Sequence, residues 1–478
     1  MTTSTTTLAD GAIGSNLLET GTIPAGGSDP TQFDCKEAWY PIFYVEDLDK
    51  AKLATFTLLE RDLVIWWDTQ AQTWQVFADR CPHRLAPLSQ GRITEEGLLE
   101  CPYHGWAFTG DGSCDRIPQQ PENGTAQKSK RACAETLPCM VRQGLLFVYA
   151  GPPENALKTK VPTIQPLLET PDEWICLTTF RDLPYDALTL LENVLDSSHL
   201  PFTHHRSVGN RANASPADLE VVASSKQGFV GTWAEGPRRG KLGRQDTTFI
   251  APSLMWHDLT SKQFGRTLTV VYATPIRKGE CRLFAIFPFK FASKVPAFFL
   301  KLAPRWYSHT NQNAILEDDQ IFLHFQERYL EAQGGSANFA KAFYLPTGAD
   351  RFVTELRNWV NQYHADPFTG QPLPPTIPTE VLLDRYHSHT VKCASCSAAL
   401  KNIQRLKLVM AILGAIAWAS TSLFTFLHAQ LSTPIGILLI LITLISGAAW
   451  YGLSKLERRF YDGQAIAPRN LPDKPKKS

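Results

Sequence analysis

The chain has 478 residues, of which 44% are hydrophobic and 19% charged, with a formal net charge of +1. This is a globular composition, which excludes a disordered polyelectrolyte and a nucleic-acid binder working through a strong basic field. The length allows two or three compact units. Residues 1–35 are rich in Thr, Gly and Ser, and the first basic residue is Lys36. A secretory signal needs a basic start and an apolar core, and a transit peptide needs arginines. The segment therefore reads as a flexible tail.

A small β-domain is expected over residues 36–152, closed by the turn "GPPEN" at Gly151. Its flanks "TWQVFADRCPHR" and "GLLECPYHGWAFTGDGSC" alternate like short strands ended by Gly and Asp turns. Within them stand Cys81-x-His83, then 17 residues, then Cys101-x-x-His104. Each loop offers one thiolate and one imidazole. Zinc accepts such a set, and so does a Rieske [2Fe–2S] cluster, with two Cys on one iron and two His on the other. The strand-rich surroundings are unlike the ββα of a zinc finger. Pro82 and Pro102 stiffen the loops, and Gly105 allows close backbone approach. The Rieske assignment follows.

A larger domain is expected over residues 153–380. In "LLENVLDSSHLPFTHH", Leu188, Leu191, Val194 and Leu195 recur at helical spacing. Asp196 and His199 are three apart and share a face. His204 follows His199 by five, which on a straight helix sets the rings about 140° apart. They converge only across a break, and Pro201 lies in that gap. Two histidines and a carboxylate form the facial triad of Fe(II) oxygenases. The carboxylate is sought in "NQNAILEDDQIFLHFQERYL", Asn311 to Leu330. On a helical wheel Asp319 falls in the middle of the apolar face and Asp318 at its edge. Glu317 points away with Gln320, His324 and Arg328. A carboxylate at the centre of a buried face is costly unless paired or metal-bound, so Asp319 is the expected ligand and Asp318 the reserve. "TLTVVYATPI" and "CRLFAIFPFK" predict an antiparallel strand pair around a Lys-Gly turn. His205, His257, His309 and His364 read as structural or surface residues. Cys35, Cys114, Cys133, Cys139, Cys176 and Cys281 read as small core residues.

A linker over 381–403 carries Cys393-x-x-Cys396. Three readings of that pair stay open: a redox dithiol, a zinc site with His387 and His389, or simple reduced thiols. Leu408 to Leu427 and Ile435 to Leu453 are uncharged and long enough to span a bilayer, within a membrane region of 404–456. The connection "HAQLSTP" has no Lys or Arg. Lys401, Arg405 and Lys407 precede the pair, and Lys455, Arg458 and Arg459 follow it. The positive-inside bias then puts both ends and the N-terminal part on the cytoplasmic side. The tail 457–478 ends in "KPKKS", suited to anionic lipid.

Glu192-x3-Asp196-x2-His199-x4-His204, with the box Cys101-Pro-Tyr-His-Gly-Trp106, resembles the Rieske non-haem iron oxygenases over nearly all the soluble part. The Rieske proteins of respiratory and photosynthetic complexes carry one further Cys in each loop. Here Tyr103 and the neighbourhood of Ala86 hold those places. Fewer hydrogen bonds to the sulfurs imply a lower potential. The membrane hairpin and "RYHSHTVKCASC" resemble the membrane-bound branch that contains pheophorbide a oxygenase, the Tic55-type translocon protein and the protochlorophyllide-associated member. The resemblance implies an α+β chain, with a Rieske β-domain, a helix-grip-like antiparallel-sheet catalytic domain and a two-helix transmembrane hairpin. It implies a [2Fe–2S] cluster, mononuclear Fe(II) and O2 as co-substrate. Asp196 would not be a ligand. It would hydrogen-bond a ligand histidine and pass electrons from the cluster of a neighbouring subunit, hence a homotrimer. Ferredoxin would be the donor, a chlorophyll-type macrocycle the substrate, and thioredoxin a partner of Cys393 and Cys396. Nucleic acid is not expected. Plant members carry a transit peptide, so a cyanobacterial member of the thylakoid or plasma membrane is expected. The alternatives are methyl oxidation or hydroxylation of chlorophyllide, protochlorophyllide or a phyllobilin, or a membrane-tethered redox carrier or sensor of the Tic55 type.

Overall fold

A computed structural model describes residues 26–471, except 28, 263–264, 292, 429–433 and 465. The first 25 residues of the expected tail, most of the expected turn between the apolar segments and the basic end lie outside the described residues. The chain forms two compact units: 1–302 with 319–376, and 303–318 with 377–478.

The first unit begins with three small antiparallel sheets. One pairs Trp39–Tyr44, Leu145–Tyr149 and Cys139–Arg142. The second orders Ala54–Leu58, Arg61–Asp68, Thr73–Ala78 and Thr136–Leu137. The third orders Arg92–Ile93, Leu99–Glu100, Ala107–Phe108 and Cys114–Arg116. Strand Arg61–Asp68 shows why the middle of the domain is apolar on both faces. Leu63 and Ile65 enter one core with Tyr40, Phe56 and Val148. Val64 and Trp66 enter another with Phe77, Phe108, Cys81 and Cys101. Successive side chains of a strand point to opposite faces, so one strand serves two cores.

A seven-stranded antiparallel sheet follows, in the order Ile175–Leu183, Glu280–Lys290, Gly265–Arg277, Leu254–Ser261, Gln245–Ile250, Gly228–Trp233, Leu219–Ser225. The expected strand pair is its longest hairpin. At the Lys278-Gly279 turn Gly279 has φ +76, and a Cβ there would meet Pro374 at 2.8 Å. Helix Ala187–Leu195 packs on this hairpin and against helix Arg351–Tyr363. The buried Arg282 joins the sheet to the small β-domain. It holds both oxygens of Asp182 at 2.5 and 2.9 Å and donates to the Ile42 carbonyl at 3.0 Å. Its guanidinium also stands 4.7 Å from the centre of the Phe56 ring. A buried cation paired with a carboxylate and hydrogen-bonded in this way is tolerated, and loss of one partner would be costly. Among the minor cysteines, Cys35, Cys114 and Cys281 are buried, but Cys133 and Cys139 are only half-buried and Cys176, near the start of an edge strand, is exposed.

The second unit contains the long helices Ala394–His428 and Pro434–Arg458, both long and apolar enough to cross a membrane. They run antiparallel, since Gln404 near the start of one bonds Glu457 near the end of the other at 3.1 Å. Small residues let them approach: a Cβ on Gly414 would lie 3.3 Å from that of Ser446. Ile416, Trp418, Leu438 and Ile445 face outward, as lipid contact requires. The same unit buries Arg385 against Glu317, with bonds of 2.9 and 2.6 Å.

Candidate metal centres and active site

The two Cys-containing loops have one backbone fold, repeated. In the first, Cys81 N–H donates to the Ala86 carbonyl and Leu85 N–H to the Cys81 carbonyl, at 2.8 and 2.9 Å. In the second, Cys101 N–H donates to Trp106 and Gly105 N–H to Cys101, at 2.8 and 3.1 Å. The fifth residue is left-handed in both, Leu85 at φ +59 and Gly105 at φ +69. Both cysteines are buried in the apolar core, whereas His83 is exposed and His104 half-buried. The imidazoles face each other with centroids 4.6 Å apart, and His83 stacks on Trp106 at 4.5 Å. Burial pushes the Cys81 thiol up to about 12. A thiol so buried becomes a thiolate readily only with metal to carry the charge. Inner thiolates and outer imidazoles fit a Rieske cluster.

The second set, His199, His204 and Asp319, presents its ligand atoms within 4.8 Å of one another. His204 Nε2 is 3.2 Å from Asp319 Oδ2, and His199 Nε2 is 4.0 Å from Oδ1. Asp319 is buried, and its Oδ1 has no hydrogen-bond partner. An unsatisfied buried carboxylate oxygen beside two imidazoles fits a missing cation. The local fold differs from the expected one. Helix Ala187–Leu195 ends at Asp196, and the break falls at Asp196–Ser198. Pro201 lies in the first turn of a new short helix, Leu200–Thr203, where a missing N–H costs nothing. The histidines flank that single turn as its two caps. Gly209 closes the following loop: a Cβ there would sit 2.1 Å from the Leu200 carbonyl oxygen.

Asp319 comes from helix Arg305–Ala332, whose acids are not disposed as the wheel suggested. Glu317, Asp318, Gln320 and His324 are buried as well as Asp319. The helix is exposed at Asn311, Phe322 and Tyr329, so the side that meets water is not the one the wheel assigned to Glu317. Its carboxylate pairs with Arg385 instead. The Asp318 backbone carbonyl accepts from Arg469. Only Asp319 joins the histidines.

Glu192 is buried and bonds Arg357 at 2.5 Å and Gln326 at 2.9 Å, which fixes the helix ahead of the triad. Asp196 approaches His199 through its backbone carbonyl, which faces the ring Nδ1. Its carboxylate accepts from Ser198 N–H and O–H at 2.7 and 2.6 Å and lies 3.9 Å from that nitrogen. The contact expected of the carboxylate is thus made by the main chain. His257, read from sequence only as a structural or surface residue, is structural, and it supports the triad. Its Nε2–H donates to the Val194 carbonyl at 2.8 Å, and its Nδ1 accepts from Thr247 at 2.8 Å. Burial lowers its pKa to about 4, keeping it neutral. It satisfies a carbonyl at the end of the helix that leads to the triad. Its place on strand Leu254–Ser261 gives no sequence signal.

A Rieske-type cluster receptacle and an open two-histidine, one-carboxylate site on a seven-stranded sheet define the Rieske non-haem iron oxygenases. Residues 38–139 match the Rieske [2Fe-2S] domain family and residues 249–337 the pheophorbide a oxygenase family. The chain is 37% identical to the chloroplastic pheophorbide a oxygenase of Arabidopsis thaliana over 90% of its length and 83% of that protein. It is 36% identical to flavonoid 8-hydroxylase 2 of Ocimum basilicum over 79% of its length and 76% of that protein. The NdmA QL mutant of Pseudomonas putida CBB5 with caffeine shares the fold, with a TM-score of 0.55, 20% identity, and coverage of 72% of this chain and 96% of that one. The chain belongs to the pheophorbide a oxygenase family of Rieske oxygenases, and is an enzyme that uses O2, a [2Fe–2S] cluster and mononuclear iron.

The cluster would be held by Cys81, Cys101, His83 and His104, and the iron by His199, His204 and Asp319. Together they would pass on reducing equivalents and activate O2. The residues themselves do three things. With its Nδ1–H donated to the Asp196 carbonyl, His199 keeps Nε2 free of a proton and aimed at Asp319. Asp319 contributes the negative charge that two neutral imidazoles lack. The site is closed on the His204 side and open on the other: the His204 side chain is 4% exposed and that of His199 17%.

Proposed function

We propose that this oxygenase acts on a chlorophyll-type macrocycle, pheophorbide a or a close relative. The observation that carries this reading is the 37% identity to a pheophorbide a oxygenase sustained over 465 residues. An apolar groove of about 430 Å³ beside the triad helix, lined by Phe322, Phe325, Tyr329, Leu330 and Phe343, has a size suited to an organic ligand. The test is to supply the purified chain with ferredoxin, its reductase, O2 and a panel of chlorins and flavones, and to read products by mass spectrometry. Oxygen gained by a chlorin supports the proposal. Oxygen gained only by a flavone would move the assignment to a second reading, favoured by the 36% identity to flavonoid 8-hydroxylase 2. Absence of substrate-dependent O2 uptake would favour a membrane-tethered redox carrier.

We infer further that electrons enter by Asp196 from a neighbouring subunit of a trimer, which places the donor cluster across an interface. Asp196→Asn should then retain both metals yet lose turnover, and loss of iron would instead make Asp196 a ligand. The two apolar helices are read as membrane spans with both ends on the cytoplasmic side of a cyanobacterial thylakoid or plasma membrane, which lets a hydrophobic macrocycle arrive through lipid. Thioredoxin as a partner of Cys393 and Cys396 would require those sulfurs to become accessible, since both are buried.

A further inference from the structure

The oxygenase reaction leaves one chemical cluster unused. Cys393, Cys396, His389 and His309 bring one ligand atom each to within 4.8 Å of one another, and all four residues are buried. His309 and His389 are 0% and 1% exposed, and Cys393 and Cys396 likewise 0% and 1%. His387, the partner suggested by sequence, is turned outward and bonds Asp384 at 2.6 Å. His309 takes its place from 80 residues upstream.

The distances are those of ligands around a common centre. His309 Nδ1 lies 3.1 Å from His389 Nε2, 3.5 Å from Cys393 Sγ and 3.6 Å from Cys396 Sγ. His389 Nε2 lies 3.3 Å from Cys396 Sγ. A tetrahedron with metal–sulfur bonds of about 2.3 Å and metal–nitrogen bonds of about 2.0–2.1 Å has nitrogen–sulfur edges of about 3.5 Å and a nitrogen–nitrogen edge of about 3.3 Å. Hydrogen bonding alone does not account for the arrangement. A ring nitrogen either donates one proton or accepts with one lone pair, yet three polar atoms crowd the single Nδ1 of His309. A cation at the centre turns that crowding into coordination.

The local fold suits the donors. Cys393 sits at the start of helix Ala394–His428, with its carbonyl accepting from Ser397 N–H at 2.9 Å. Cys396 is one turn further on, so the two sulfurs share a face. A helix N-terminus favours thiolate. The backbone carbonyl of His389 accepts from Cys393 N–H at 3.0 Å, which ties that histidine to the same turn. Two thiolates and two neutral imidazoles carry a charge of −2, matched by one divalent cation. All four places are filled by protein, as in structural rather than catalytic zinc sites.

We propose that His309, His389, Cys393 and Cys396 form a closed structural site for a divalent ion of the zinc class, which ties helix Arg305–Ala332 to the segment leading into the first apolar helix. The test uses the full chain in detergent, expressed with iron and zinc. Metal analysis is paired with zinc K-edge X-ray absorption, which is blind to iron. The expected result is about one zinc per chain with a shell of two sulfurs and two nitrogens. It should disappear in Cys393→Ser/Cys396→Ser and persist in His204→Ala, which removes a ligand of the oxygenase iron. Should the double variant fail to fold, judged by loss of its Rieske electron paramagnetic resonance signal, the shell of the unaltered chain and that of His204→Ala still decide. A chain without zinc, zinc bound only by nitrogen and oxygen, iron in the two-sulfur shell, or a Cys393–Cys396 disulfide reduced by thioredoxin would each overturn the proposal. None of these readouts depends on which substrate is oxidised.

Discussion

The triad of His199, His204 and Asp319 and the quartet of His309, His389, Cys393 and Cys396 are built on the same plan and differ in one respect. Each has neighbours in sequence at its heart, joined by a distant ligand from helix Arg305–Ala332. The quartet is sealed, with four donors and 0–1% exposure. The triad has three donors, an unsatisfied carboxylate oxygen and a His199 side chain 17% exposed. The count of donors and the access of solvent separate a centre that reacts from one that holds a fold. Chemistry needs the vacancy, and stability needs its absence.

The largest expected effect is at the triad's distant ligand. Asp319→Ala leaves two histidines, a set too weak for Fe(II), so mononuclear iron and O2 uptake should both be lost while the Rieske signal stays. Iron retained in that variant would end the comparison. Next comes the frame of the open centre. Glu192 and Arg357 form a buried pair, and Arg357→Ala should cost about 3–5 kcal/mol by leaving the buried Glu192 carboxylate with no counter-charge and only its bond from Gln326. A thermal midpoint unchanged from the parent chain would show the pair to be unimportant.

A smaller effect is expected with pH. The pKa of His257 is depressed to about 4 from an ordinary 6.5. Between those values the unfolded chain takes up a proton that the folded chain refuses. The stability conferred by the neutral ring is complete above 6.5 and drains away as pH falls toward 4. In His257→Gln the thermal midpoint should therefore depend less on pH across that window, and an equal or steeper dependence would count against the assignment. The smallest effect is assigned to Asp318→Ala. Its carboxylate does not join the triad, so iron content should change by less than about twofold. A large loss would mean that the helix is rotated from the position described.

The parts legible in sequence are those whose partners are near in sequence. Both cysteine loops fall within 24 residues, Cys81 to His104, and declare their donors by spacing. His199 and His204 announce a distortion because helical geometry alone cannot bring them together. The hairpin around Lys278 and Gly279 announces itself by alternation and a turn. Asp319 was reachable because an acid in an apolar stripe is conspicuous. His309 was not, since it lies on the same helix with no apolar stripe to single it out. A helical wheel sorts residues by assuming that one face meets water. Helix Arg305–Ala332 does meet water, but at Asn311, Phe322 and Tyr329 rather than on the face the wheel chose, and it buries Glu317, Asp318 and His324. The exact break before His199 was also hidden, because Pro201 serves equally well as the end of one helix or the start of another.

The repeated loops around Cys81 and Cys101 have a further consequence, best put in terms of symmetry. Their backbones superpose in hydrogen bonding and in the left-handed fifth residue, but the histidine is third in one loop and fourth in the other. A non-glycine residue in that conformation costs about 1–2 kcal/mol, so the exposed Leu85 keeps up the repeat at some strain where Gly105 does so freely. The ligands depart from the two-fold relation that the chain preserves. One imidazole lies flat on an indole, with 5° between the planes, and the other leans on Tyr103 at 36°. The two imidazole nitrogens that would share one iron, alike in chemical formula, thus become distinguishable, and a spectrum that resolves nitrogen couplings to the cluster should show two separate values rather than one value counted twice.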